Sequence, residues 1–278
     1  MKSSALLATF ALALTAASSA QAQDSEPQTI PFEGGNFTIV ENAEGEKVVA
    51  YEGKEIARNY VAFHDRTVEV SDTQVAIFAL GDGGNACGPE TVLAWKTEAG
   101  IQSTVVGDGE CGAPPAAVTN DNIFFVPYPL PGETLPVRAW SPESGLLLHG
   151  NLAYAPQPGT DWADLDVKKF EDGIVTAFKN EAVYKAAQQL LGDGMSEFAT
   201  SLLVSGGTEK LPSGAFYASG CIPHACGGGN GFMAIDAKAR KLYFAQETDT
   251  PEPKAWPALA KWPAEFKDAM TKAFAPQL

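Results

Sequence analysis

Apolar residues follow two different rhythms along this chain, and the change falls just past its midpoint. From residue 28 to about 155 they form short runs: Thr38-Ile39-Val40, Val48–Tyr51, Tyr60–Phe63, Val75–Phe78, Val92–Trp95, Ile123–Val126 and Leu146–Leu148. Turn formers such as Glu44-Gly45 and Gly81-Asp82-Gly83-Gly84-Asn85 separate them. Runs rich in β-branched and aromatic residues, bounded in this way, predict strands. No helical stripe interrupts them, and they recur without a fixed period. The expectation is a mostly-β domain.

Tyr154-Ala155-Pro156-Gln157-Pro158-Gly159-Thr160 predicts a linker or a long loop. Beyond it, Val183, Tyr184, Ala187, Leu190 and Leu191 recur at the spacing of an amphipathic helix. Asn180 suits its N-cap, and Gly192-Asp193-Gly194 should end it. Met195, Phe198 and Leu202 predict a second short helix, stopped by Gly206-Gly207. Ala215–Ala218 reads as a strand. Phe232–Ile235 and Leu242–Ala245 flank the polar segment 236–241, the signature of a hairpin. Trp262, Phe266, Met270 and Phe274 line one face of a C-terminal helix, with Pro263 suited to its first turn. The expected class is α+β: a mostly-β domain over 23–155, then an antiparallel sheet with flanking helices over 156–278.

The first residues change the setting. Lys2 precedes the apolar stretch Ala5–Ala17, and Ala20-Gln21-Ala22 gives an A-x-A cleavage pattern. This predicts a signal peptide over 1–22 and a mature chain from Gln23, periplasmic or secreted. The apolar core is too short for a stable span, so no membrane insertion is expected. The chain has 34 acidic and 19 basic residues, a formal charge of -15. Loss of Lys2 makes it one unit more negative. Such an excess repels nucleic acid and anionic membranes and favours basic partners.

Cys87, Cys111, Cys221 and Cys226 form an even set, as disulfides in an oxidising compartment require. Of three pairings the simplest is Cys87–Cys111 with Cys221–Cys226. The first would staple a strand–turn–strand segment around Trp95, worth about 3 kcal/mol. The second would close the ring Cys221-Ile222-Pro223-His224-Ala225-Cys226, worth roughly 2 kcal/mol. Its main gain is rigidity. Pro223 fixes a backbone dihedral, and Gly227-Gly228-Gly229 let the chain leave the ring in any direction. His224 then sits near the apex of a braced turn. Spacing alone leaves two readings, a structural clip or a pre-ordered binding loop, and the clip is the more economical.

Other chemistry finds less support. A zinc site on Cys221, His224 and Cys226 lacks a fourth ligand nearby. The C-x-x-C-H order of haem attachment, the Lys-Ser/Thr of a phosphate loop and the G-x-S-x-G elbow are all absent, so no cofactor is expected. Gly81–Asn85 is a weak calcium candidate that a tight turn explains equally well. His64 and His149 read as strand-end or surface residues.

A strand, then C-x-P-H-x-C, then a glycine-bearing turn and a hairpin, with helices before and after, resembles the Ivy family of periplasmic lysozyme inhibitors. The resemblance covers roughly residues 165–275. In that family the loop reads C-K-P-H-D-C and enters the cleft of a C-type lysozyme, where its histidine contacts the two catalytic carboxylates. Cys221, Pro223, His224 and Cys226 match, whereas Ile222 replaces Lys and Ala225 replaces Asp. The loop thereby loses both of its charges. The resemblance implies a non-enzymatic binding protein whose inhibitory loop is Ile222, Pro223, His224 and Ala225. Its partner would be a basic C-type lysozyme or a lytic transglycosylase, and a homodimer is compatible with the family. Two alternatives stay open: an envelope scaffold that keeps the fold without inhibiting, and a secreted hydrolase, which would need two carboxylates in one cleft.

Overall fold

The computed structural model describes residues 27–84, 87–107, 111–166, 168, 170 and 173–275. The signal segment 1–22, the mature start at Gln23 and Asn85 of the glycine-rich turn lie outside them.

The first half forms three antiparallel four-stranded sheets. Strands β1 (Gln28–Phe32), β2 (Gly35–Glu41), β3 (Lys47–Tyr51) and β4 (Lys54–Asn59) make the first. The second comprises β5 (Val61–Val70), β6 (Thr73–Gly81), β7 (Glu90–Thr97) and β8 (Gly100–Val106). The third comprises β9 (Ala116–Val118), β10 (Ile123–Phe125), β11 (Thr134–Ser141) and β12 (Gly145–Ala153). Each is a meander, and the second lies between the other two. Ala76, Phe78 and Leu80 of β6 pack with Phe32, Phe37 and Ile39 of the first sheet. The intervening Val75 and Ile77 pack with Ile123, Phe125 and Trp140 of the third. Successive side chains point to opposite faces, so a strand covered on both sides must be apolar at every position. This is why Val75–Phe78 and Val92–Trp95 read as unbroken runs.

Every apolar run of the first half falls in a strand, with Tyr60 just before β5 and Val126 just after β10. Cys87 and Cys111 are bonded, with Cα atoms 4.8 Å apart. They join the connection before β7 to the segment after β8. The backbones touch there: a Cβ at Gly112 would lie 2.5 Å from the Gly88 carbonyl oxygen.

The segment after β12 is a long loop, one of the two readings its composition allows, and it packs against the second half. The Tyr154 ring stacks on Tyr184, with centroids 5.3 Å apart, and burial, with Tyr184 adding to it, pushes the Tyr154 hydroxyl up to about 12. The Gln157 N–H donates to the Lys179 carbonyl at 2.8 Å. Glu133 ties the halves together. Its carboxylate accepts from the Leu130 N–H at 2.7 Å and the Ser196 hydroxyl at 2.8 Å.

The second half holds α1 (Glu181–Leu191), α2 (Met195–Thr200) and α3 (Ala264–Ala273). Its sheet comprises β13 (Val204–Ser205), β14 (Glu209–Lys210), β15 (Phe216–Cys221), β16 (Gly231–Asp236), β17 (Lys241–Gln246) and β18 (Lys254–Trp256). The order is β13-β15-β16-β17-β18, with β14 also on β15. One face, including Phe216, Met233, Ile235 and Phe244, packs under α1 and α2. The other, including Tyr217, Phe232 and Tyr243, packs on Trp262, Phe266 and Met270. The fold is α+β, and β16–β17 is the expected hairpin.

Asn180 caps α1, its side-chain oxygen accepting from the Val183 N–H at 3.1 Å. Helix α1 ends at Leu191 with Gly192 as its C-cap, as expected, and Gly192–Gly194 forms a 3-10 turn that leads directly into α2. Two details differ from expectation. Helix α2 ends at Thr200, so Leu202 is buried just beyond it and the glycine pair is not the stop. Pro263 is the N-cap of α3 and precedes its first turn. No helix among the described residues is long and apolar enough to cross a membrane.

Candidate functional site: the clipped loop after β15

Strand β15 delivers Cys221 at its end, buried at 8% exposure and paired with Val204 of β13. The Cys221–Cys226 bridge is formed, with Cα atoms 5.0 Å apart. Inside the ring the Ala225 N–H donates to the Ile222 carbonyl at 3.0 Å, closing a turn over residues 222–225. Pro223 occupies its second position, where a fixed φ is an advantage. His224 occupies the third with φ +64. A left-handed third residue is the mark of a type II turn and normally calls for glycine. Holding histidine there costs on the order of 1 kcal/mol, and the proline, hydrogen bond and disulfide together enforce it. A second turn follows, the Gly228 N–H reaching the Ala225 carbonyl at 3.3 Å, with Gly227 at φ +99.

The result is an imidazole at the tip of a doubly braced loop. His224 and Ala225 are exposed, whereas Ile222 and Pro223 are half-buried. The isoleucine does not project with the histidine. A Cβ at Gly229 would lie 3.4 Å from its Cδ1, and it lines an open groove of about 980 Å³ shared with Glu247, Met270 and Phe274. An apolar side chain at 222 therefore covers the arm by which the chain leaves the ring. Ala225 closes the turn through its own backbone N–H, so the turn forms without a side-chain acceptor at that position.

The base of the loop is close-packed. A Cβ at Gly220 would lie 2.9 Å from the Leu202 Cα, and one at Gly231 would run into the Ser201 hydroxyl. Asn230 is a contributor that sequence reasoning passed over, because it looks like one more turn residue in a glycine run. Its side-chain oxygen accepts from the Gly227 N–H at 3.4 Å, and its amide donates to Glu247. Leu203 and Val204, beside Cys221, are exposed apolar residues next to the ring.

The remaining candidates belong to the N-terminal sheets. His64, on β5, lies 3.1 Å from the Thr67 hydroxyl, and burial lowers its pKa. His149, on β12, stands edge-on to Phe124 at 5.1 Å. Cys87 and Cys111 staple the middle sheet; among the described residues, the predicted site residues that the structure brings together are those of the ring, 221–226.

Comparison with known proteins matches two separate parts of the chain. Residues 182–276 match the family model described as inhibitor of vertebrate lysozyme (Ivy), and residues 33–153 match the Y4bG N-terminal domain. An uncharacterized protein, y4bG of Sinorhizobium fredii, is 24% identical over 238 residues, covering 85% of this chain and 86% of that protein. No solved structure matches. The domain that carries His224 is therefore Ivy-like, and the β-rich domain before it is similar to the Y4bG N-terminal domain.

Proposed function

We propose that this chain is a periplasmic, non-catalytic protein that inhibits a lysozyme-type, peptidoglycan-cleaving enzyme by placing the His224 loop in its cleft. The observation that carries the reading is an exposed histidine held left-handed at the apex of a disulfide-closed turn, inside a domain that matches the Ivy family. Enzymes that cleave glycosidic bonds hold two carboxyl groups across the scissile bond. A protonated imidazole has two N–H donors, one for each carboxylate. The brace supplies the ordering that a flexible loop would otherwise lose on binding, about 0.5–1.5 kcal/mol per immobilised side chain. The acidic chain complements a basic lysozyme. Both disulfides suit an oxidising compartment.

A second reading, an envelope protein that keeps the fold without inhibiting, draws on Ile222 and Ala225, which leave the loop uncharged. An inhibition assay over a panel of C-type lysozymes and lytic transglycosylases separates the two. Wild-type protein should inhibit at least one enzyme, and His224→Ala should lose at least tenfold in potency. Inhibition of none supports the second reading; equal inhibition by the variant removes the loop from the mechanism.

A further inference from the structure

The ring fixes its own shape, but its aim relative to the domain depends on the two arms that carry it. The entry arm is rigid, because β15 is paired on both sides up to Gly220 and Cys221. The exit arm is Gly227-Gly228-Gly229, with φ +99 at the first and +76 at the third. Three consecutive glycines have the widest backbone freedom a chain offers. Left unconstrained, this arm would let the ring swing about the end of β15.

One side chain closes that freedom. Asn230 accepts from the Gly227 N–H through its side-chain oxygen and donates through its amide to the Glu247 carboxylate. Its carbonyl accepts from the Glu247 N–H at 2.9 Å. Glu247 directly follows β17, whose last residue Gln246 pairs with Gly231. The first residue of the exit arm is thereby tied to the central hairpin, and Ile222 lies against the last glycine, its Cδ1 3.4 Å from where a Cβ at Gly229 would stand. A backbone N–H in an exposed glycine arm would otherwise bond to water and hold nothing in place.

We propose that Asn230, anchored by Glu247, is the positioning residue of the His224 loop: it pins the exit arm and so sets the direction in which the histidine points. This rests on the inhibitory reading for its use, but not for its geometry. The test therefore has two readouts on the full mature chain. Amide exchange at Gly227 should accelerate about tenfold in Asn230→Ala and in Glu247→Ala. Glu247→Gln, which keeps an acceptor for the Asn230 amide, should stay within about twofold of wild type. Potency against whichever muramidase the wild type inhibits should fall about tenfold in the two alanine variants and recover in Glu247→Gln, at unchanged melting temperature. Unchanged Gly227 exchange in both alanine variants overturns the proposal, as does faster exchange with undiminished potency. If the wild type inhibits no muramidase, the inhibitory reading falls, and the exchange rates alone decide whether Asn230 fixes the arm.

Discussion

The two disulfides use one bond for opposite ends. Cys87–Cys111 spans 24 residues and ties two glycine-bearing segments together at the edge of the middle sheet, where Gly112 lies against Gly88. Cys221–Cys226 spans 5 residues and closes a ring with one end seated in the sheet and its histidine in solvent. A long loop loses more unfolded-state entropy on closure than a short one. The first bridge should therefore dominate stability and the second should dominate shape. Ring size and exposed content, more than the bond, separate a staple from a tool.

Three experiments sharpen or break that contrast. Replacing Cys87 and Cys111 by serine should cost about 3 kcal/mol in denaturant unfolding while leaving inhibitory potency intact. Replacing Cys221 and Cys226 should cost no more than about 2 kcal/mol yet reduce potency at least tenfold. If potency follows the first bridge instead, the division of labour is wrong. The smallest effect concerns the junction between the halves. The raised pKa of Tyr154, about 12, means that its contribution to stability is whole below its ordinary value. That contribution is lost as pH rises from about 10 toward 12. Tyr154→Phe should flatten this part of an alkaline unfolding titration. Tyr217, also pushed up to about 12, chiefly by burial, should preserve the part that belongs to the second domain.

How legible this was follows from where each strand sits. Val75–Phe78 and Val92–Trp95 announce themselves because both faces of the middle sheet are covered. The outer strands hide. Lys54–Asn59 is largely charged or polar, and β11 contains Pro136 and a bulge between Val137 and Arg138. Antiparallel partners supplied by the fold make these segments strands, not their own composition. Among the helices, Asn180 was readable as a cap because its chemistry is local. The end of α2 was not, because Leu202 is pulled into the core by packing rather than by helical spacing.

The site divides in the same way. The spacing of Cys221, Pro223, His224 and Cys226 is enough to draw the ring and to put the histidine near its tip. It does not show the positive φ of His224, the backfolding of Ile222 over Gly229 or the pin at Asn230. The first is set inside the ring by its turn and disulfide and the second by a contact within the loop, whereas the third depends on Glu247, just after β17. Ile222, read as a lost cation, has a structural use that only the folded loop displays.

The central claim is that the His224 loop occupies a glycan-binding cleft, and competition tests it most directly. Affinity for a basic C-type lysozyme would be measured with and without a saturating chito-oligosaccharide in the enzyme's cleft. The account predicts that the apparent Kd rises in inverse proportion to the fraction of clefts left free of sugar, and that His224→Ala weakens binding only when the cleft is free. An unchanged Kd in the presence of the sugar would contradict it.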